Sequence, residues 1–155
     1  MNSLILSAAT RLLAPLILAY SLFILLRGHD EPGGGFIGGL IAATAFALYA
    51  KSEGTVAARR ALRFDPSLMA LVGLALAVGA GVWGAAAGGD FLTSIWPFLV
   101  KGPDGRYHGL HIGSPFVFDL GVYLVVVGAV IGLFLGLEED AARGDDLEGD
   151  DDAWS

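Results

Sequence analysis

The sequence predicts an all-α fold: a polytopic membrane protein with four transmembrane helices and both termini cytoplasmic. Three observations carry that prediction. Of the 155 residues, 55% are hydrophobic and only 16% are charged, whereas ordinary soluble domains are about a quarter charged. The mean hydropathy is +0.67. The apolar residues gather into four stretches long enough to cross a hydrocarbon core, which takes about 20 helical residues.

The first stretch runs from about Ala8 to Leu26, interrupted by Arg11 and holding Pro15, a kinking residue. Three further spans follow it, and no small-residue cleavage pattern does, so it is not read as a removable signal. The second runs from Pro32 to Ala50 and the third from Pro66 to Gly89, both without charge. The fourth runs from Pro115 to Leu137 and contains one acid, Asp119. Glu31-Pro32, Asp65-Pro66 and Ser114-Pro115 each place a capping oxygen before a proline, the arrangement that opens a helix at no cost to its hydrogen bonds. Phe91 to Val100 is apolar but too short to span, and it contains Trp96-Pro97. It reads as an interfacial or re-entrant segment.

Residues 1–137 therefore form the membrane domain and residues 138–155 an acidic cytoplasmic tail. The tail holds nine of the 16 acids, and only Arg143 opposes them. A like-charge block of this kind is expected to be solvated and disordered. The remaining body carries seven acids against eight basic residues, so the overall charge of −7 describes the tail alone. Orientation follows from the basic residues of short loops. Lys51, Arg59, Arg60 and Arg63 lie between spans two and three, and Arg11 near the start. That side is placed in the cytoplasm. The 27–31 turn and the 90–114 loop then face outward.

Helix contacts in lipid depend on small residues that let backbones approach. Gly35, Gly39, Ala43 and Ala47 line the second span. Gly73, Ala77, Gly81, Ala85 and Gly89 line the third, and Gly128, Gly132 and Gly136 the fourth. Each series lies on one helix face, since four residues are close to one turn. Such stripes serve packing within the chain or against other subunits.

The densest group of ionisable residues outside the tail is Arg27-Gly28-His29-Asp30-Glu31, followed by Pro32-Gly33-Gly34-Gly35-Phe36. It reads either as a tight capped turn at the membrane surface or as a titratable gateway through His29, Asp30 and Glu31. A phosphate loop is disfavoured, since the Lys-Ser/Thr pattern and a preceding strand are missing and the acids would repel a phosphate. Asp119 is the one acid inside a span. It lies about one turn past Pro115, so a satisfied carboxylate near the interface and a proton or cation relay both fit it. His108 and His111 lack the further ligands a metal needs. No histidine lies within a span to hold a haem, and the chain has no cysteine. No cofactor and no metal site is expected. Trp96 and Tyr107 read as interfacial anchors.

The run from Arg27 through Gly33-Gly34-Gly35-Phe36-Ile37-Gly38-Gly39 to Leu40 closely resembles the signature of the MrpB/MnhB family, the B-type subunits of the Mrp (also called Mnh) multisubunit cation/proton antiporter. The run Ser114-Pro115-Phe116-Val117-Phe118-Asp119-Leu120-Gly121-Val122-Tyr123, continuing to Gly128, resembles that family's second hallmark. The resemblance extends to about Leu137 and leaves out the tail. It implies an accessory subunit of a hetero-oligomeric Na+/H+ antiporter in the bacterial cell membrane. Its partners would be large antiporter-like subunits and small membrane subunits, the transported ions Na+ and H+, and no nucleic acid. It also implies that Pro32 and Phe36 matter for assembly or activity. The competing reading is a stand-alone, four-helix, proton-coupled transporter, which needs a membrane-centred acid. An intramembrane enzyme lacks a nucleophile–base set at a common depth.

Overall fold

The computed structural model describes residues 4–28, 33–97, 99–101, 107–109 and 113–151. Its elements are α1 (Leu4–Arg27), α2 (Gly34–Glu53), α3 (Thr55–Leu62), α4 (Pro66–Ala86), β1 (Leu99–Lys101), β2 (Tyr107–Gly109) and α5 (Ser114–Asp151). Four of these helical segments are long and apolar enough to cross a membrane. α1 has 24 residues, which at 1.5 Å each gives about 36 Å. β1 and β2 pair antiparallel, with Val100 opposite His108.

The long helices stand side by side in the order α1–α2–α5–α4. α2 has α1 on one flank and α5 on the other, and α4 packs only on α5 among the described helices. The row does not close into a ring. Backbone contact explains the order. A methyl on Gly73 of α4 would come within 2.6 Å of the Gly121 carbonyl oxygen on α5, and one on Gly121 within 2.6 Å of the Ala77 nitrogen. Further along the same seam, a methyl on Gly128 would reach within 2.4 Å of the Pro66 carbonyl oxygen. On the other flank of α5, Gly39 of α2 fits against Val126 and the Tyr123 carbonyl. Without a hydrophobic force between helices in lipid, such approach maximises dispersion contacts.

α3 occupies part of what the sequence suggests is a plain loop. Ala58 and Leu62, four residues apart, are buried in one cluster with Ala42, Ala43, Val127, Ile131 and Leu135. Arg59 and Arg60 remain outside. Gly54, at φ 94°, makes the corner between α2 and α3, a backbone region where only glycine is at ease.

The sequence suggests three helix starts capped alike, and the structure makes them differ. Asp65 accepts from the Ser67 and Leu68 amides at 2.9 and 3.2 Å, with Pro66 opening α4. α2 instead begins after Gly33 at φ 101°, with no side-chain cap. Glu31 and Pro32 lie outside the described residues. Ser114 spends its hydroxyl elsewhere: it accepts from the Ile95 amide at 3.0 Å and donates to the Thr93 carbonyl. That clasp folds residues 91–97 back onto the row. Phe91 and Leu92 cover Gly81, Thr93 covers Gly84, and Trp96 lies on Gly113. The stripe on α4 is therefore shared between two neighbours of the same chain, α5 and this returning segment.

α5 continues helically to Asp151, where the sequence suggests a disordered tail after Leu137. Its first acids are held: Glu138 accepts from Lys51 at 2.8 Å, and Glu139 accepts two bonds from Arg59 at 2.7 and 3.2 Å. These pairs are solvent-exposed and worth at most about 1 kcal/mol each. They nonetheless tie the end of α5 to α2 and α3.

Replacing Gly121 by Leu forces α4 off α5, and overpacking of this kind costs about 1–3 kcal/mol. The melting midpoint of the detergent-purified chain is expected to fall by roughly 5 °C. Gly136→Leu is the control, since nothing lies within 4 Å of a methyl there; its midpoint should stay at the wild-type value.

Candidate functional site at the glycine end of the row

α1 ends and α2 begins with glycine against glycine. A methyl on Gly28 would come within 2.1 Å of the Gly34 Cα, and one on Gly34 within 2.2 Å of the Gly28 Cα. One residue on, Gly35 faces α5, and a methyl there would lie 2.2 Å from the Asp119 carbonyl oxygen. The structure thus brings the glycine run and Asp119, 84 positions apart in the chain, into backbone contact. Gly33, Gly34, Gly35 and Phe36 are placed there, with Phe36 about half exposed. His29, Asp30, Glu31 and Pro32 lie outside the described residues.

Asp119 is half-buried and sits five residues into α5, about 7.5 Å along its axis. The first turn of α2 meets the second turn of α5 here. The arrangement can hold a charge or pass a proton near the membrane surface; it does not place an acid at the bilayer centre.

Deeper in the row, Ser21 joins three helices. Its hydroxyl, fully buried, donates to the Gly38 carbonyl of α2 at 3.0 Å. Its oxygen lies 2.9 Å from the Tyr123 hydroxyl of α5. Serine has one proton to give, so Tyr123 is the donor in the second bond. Sequence reasoning missed this triad. The available signal was a serine well inside the first apolar stretch and a tyrosine inside the fourth.

The opposite end of the row is charged. Ser7 and Arg11 of α1 both engage Glu53 at the end of α2, Arg11 at 3.3 Å. Lys51 and Arg59 hold the first acids of the α5 extension. Gly128 lies in the α4–α5 seam, Gly132 brushes the Pro66 side chain, and Gly136 touches nothing within 4 Å. Among the described residues, no three His, Asp or Glu side chains gather as metal ligands would.

A single layer of membrane helices, fused at glycines and open on both faces, defines a class: a helical membrane subunit. Residues 5–132 match the family described as "Domain related to MnhB subunit of Na+/H+ antiporter". The B-type Na+/H+ antiporter subunit of Bacillus subtilis is 36% identical over 139 residues, covering 90% of this chain and 95% of that protein. Its namesake from Alkalihalophilus pseudofirmus is 34% identical over 139 residues, covering 90% and 94%. A chain in the solved structure of the Mrp complex from Dietzia sp. superposes with a TM-score of 0.69 at 32% identity. That match covers 85% of this chain and 14% of the longer Dietzia chain. The chain belongs to the MnhB family of Na+/H+ antiporter subunits.

Two outcomes test the geometry. Tyr123→Phe removes one interhelical bond, worth about 0.6 kcal/mol on average in membranes. Ser21→Ala removes both of its bonds and should cost roughly twice as much, read as melting midpoints in one detergent. Gly35→Ala drives a methyl onto the Asp119 carbonyl, and its midpoint should fall further than that of either hydroxyl variant.

Proposed function

We propose that this protein is an accessory subunit of a hetero-oligomeric Na+/H+ antiporter of the bacterial inner membrane, needed to assemble the complex. The open row carries this reading. Leu12, Leu16, Leu71 and Leu133 are each more than 60% exposed in the isolated chain. The row offers two broad apolar faces and encloses no route between its own helices. A stand-alone transporter would have to surround its path, so the layer favours a subunit that lies against neighbours. The names of the similar bacterial proteins and the Mrp complex of the Dietzia structure support the partner class: other subunits of the same antiporter. The charged end, with Arg11, Lys51, Arg59 and Arg60, is assigned to the cytoplasm by the excess of basic residues.

Deletion of the gene in a strain without a second copy should abolish growth at high Na+ and alkaline pH. A tagged chain should copurify with several larger membrane proteins. Growth equal to the parent under those conditions overturns the reading. As part of this proposal, Asp119 serves as a proton or cation relay near the outer surface of the assembled complex, a role supported by its position inside a span beside the glycine run. Asp119→Asn should reduce exchange several-fold while the complex keeps its mobility on native gels. Unchanged exchange assigns Asp119 to packing alone.

A further inference from the structure

A groove of about 320 Å³ runs between α1 and α2 near the charged end, with Ala61 of α3 at its rim. Its walls are Pro15 and Leu18 of α1 and Phe46 and Tyr49 of α2, and Thr10 and Arg11 also line it. Three observations give it a polar head and an apolar body. Thr10 is only 1% exposed, yet its hydroxyl has no hydrogen-bond partner. A helical threonine ordinarily returns its hydroxyl to the carbonyl one turn back, so this one is left unpaired at a cost. Arg11 meets Glu53 through Nε alone, at 3.3 Å. Its two terminal nitrogens point to no partner among the described residues. Arg60, next to Ala61, makes no ion pair among the described residues either.

We propose that this groove seats one anionic phospholipid of the surrounding bilayer. One acyl chain lies between Pro15 and Phe46, and the headgroup phosphate sits on Arg11. The charge argues for an anionic head: Arg11 lines the groove, Arg60 is the chain neighbour of Ala61 at its rim, and a guanidinium binds phosphate in forked geometry. Basic clefts between membrane helices at the cytoplasmic surface are a recurring form of lipid recognition. Glu53, the acid that pairs with Arg11, also accepts from Ser7. The apolar length argues for an amphiphile over free phosphate, since most of the groove offers no polar partner.

The test is native mass spectrometry of the full chain, delipidated in detergent and titrated with phosphatidylglycerol or phosphatidylcholine. Wild type should retain phosphatidylglycerol at about fivefold lower concentration than phosphatidylcholine. Arg11→Gln should erase that preference, and Arg11→Lys, which keeps the charge but not the fork, should restore only part of it. Leu18→Trp, which fills the groove, should reduce retention of both lipids. Arg27→Gln, at the opposite end, should change neither. Unaltered melting midpoints show that the variants fold. In whole membranes, a photoreactive residue at position 18 should yield a lipid adduct. Equal retention of the two lipids by wild type, or unchanged preference in Arg11→Gln, overturns the proposal. So does a photoadduct with another subunit in place of lipid, which would make the groove a protein contact.

Discussion

Apolar side chains gain nothing by leaving lipid for each other, so this fold rests on how closely helix backbones can approach. At Gly35, Gly73, Gly121 and Gly128 the gap between helices is too small for even a methyl group. Everything larger is arranged around those points. Tyr123 can reach Ser21 only because α2, which lies between their helices, presents Gly38 and Gly39 where it meets them. The buried cluster at the charged end is likewise built mostly from alanine and branched aliphatics, which fill narrow space without forcing the helices apart.

The row has a polarity along its length. One end is knitted by exposed ion pairs of small individual worth, the other by glycine contacts and by the Ser114 clasp on residues 93–95. The ion pairs add to the apolar cluster that already joins α2, α3 and α5, so they orient α3 and the end of α5 rather than hold the layer together. The glycine end is stiffer in a different sense: contact between main chains leaves no rotamer to adjust. Asp119 lies at that end, with its backbone carbonyl against Gly35.

A single layer of four helices is a poor enclosure and a good partition. Each face can be covered by different neighbours without disturbing the seams between α1, α2, α5 and α4. This separation of internal seams from external faces suits a subunit, and it explains why a short chain spends so many glycines. Where no neighbouring helix covers it, as at the groove beside Thr10 and Arg11, the layer meets the bilayer itself.

Much of this was legible in the residues. The four spans were, because about twenty uncharged apolar residues have few other solutions. The Asp65-Pro66 start was, because its capping chemistry is local. The family signature around Gly33 to Phe36 and around Asp119 was visible too. The uncapped start at Gly33, the diversion of Ser114 to residues 93–95, the helix in the 51–65 segment and the continuation of α5 past Leu137 were not. Three of these depend on partners distant in sequence: Ile95, Val127 with Leu135, and Lys51 with Arg59; the start at Gly33 depends on the contact of Gly34 with Gly28 across the turn. By itself the sequence determined how many helices cross and which ends carry charge, since lipid and water sort residues one at a time. Only the tertiary structure decided that α5 stands between α2 and α4, and that Gly35 meets Asp119. A small-residue stripe accepts any helix that can come close, and lipid gives no preference among them.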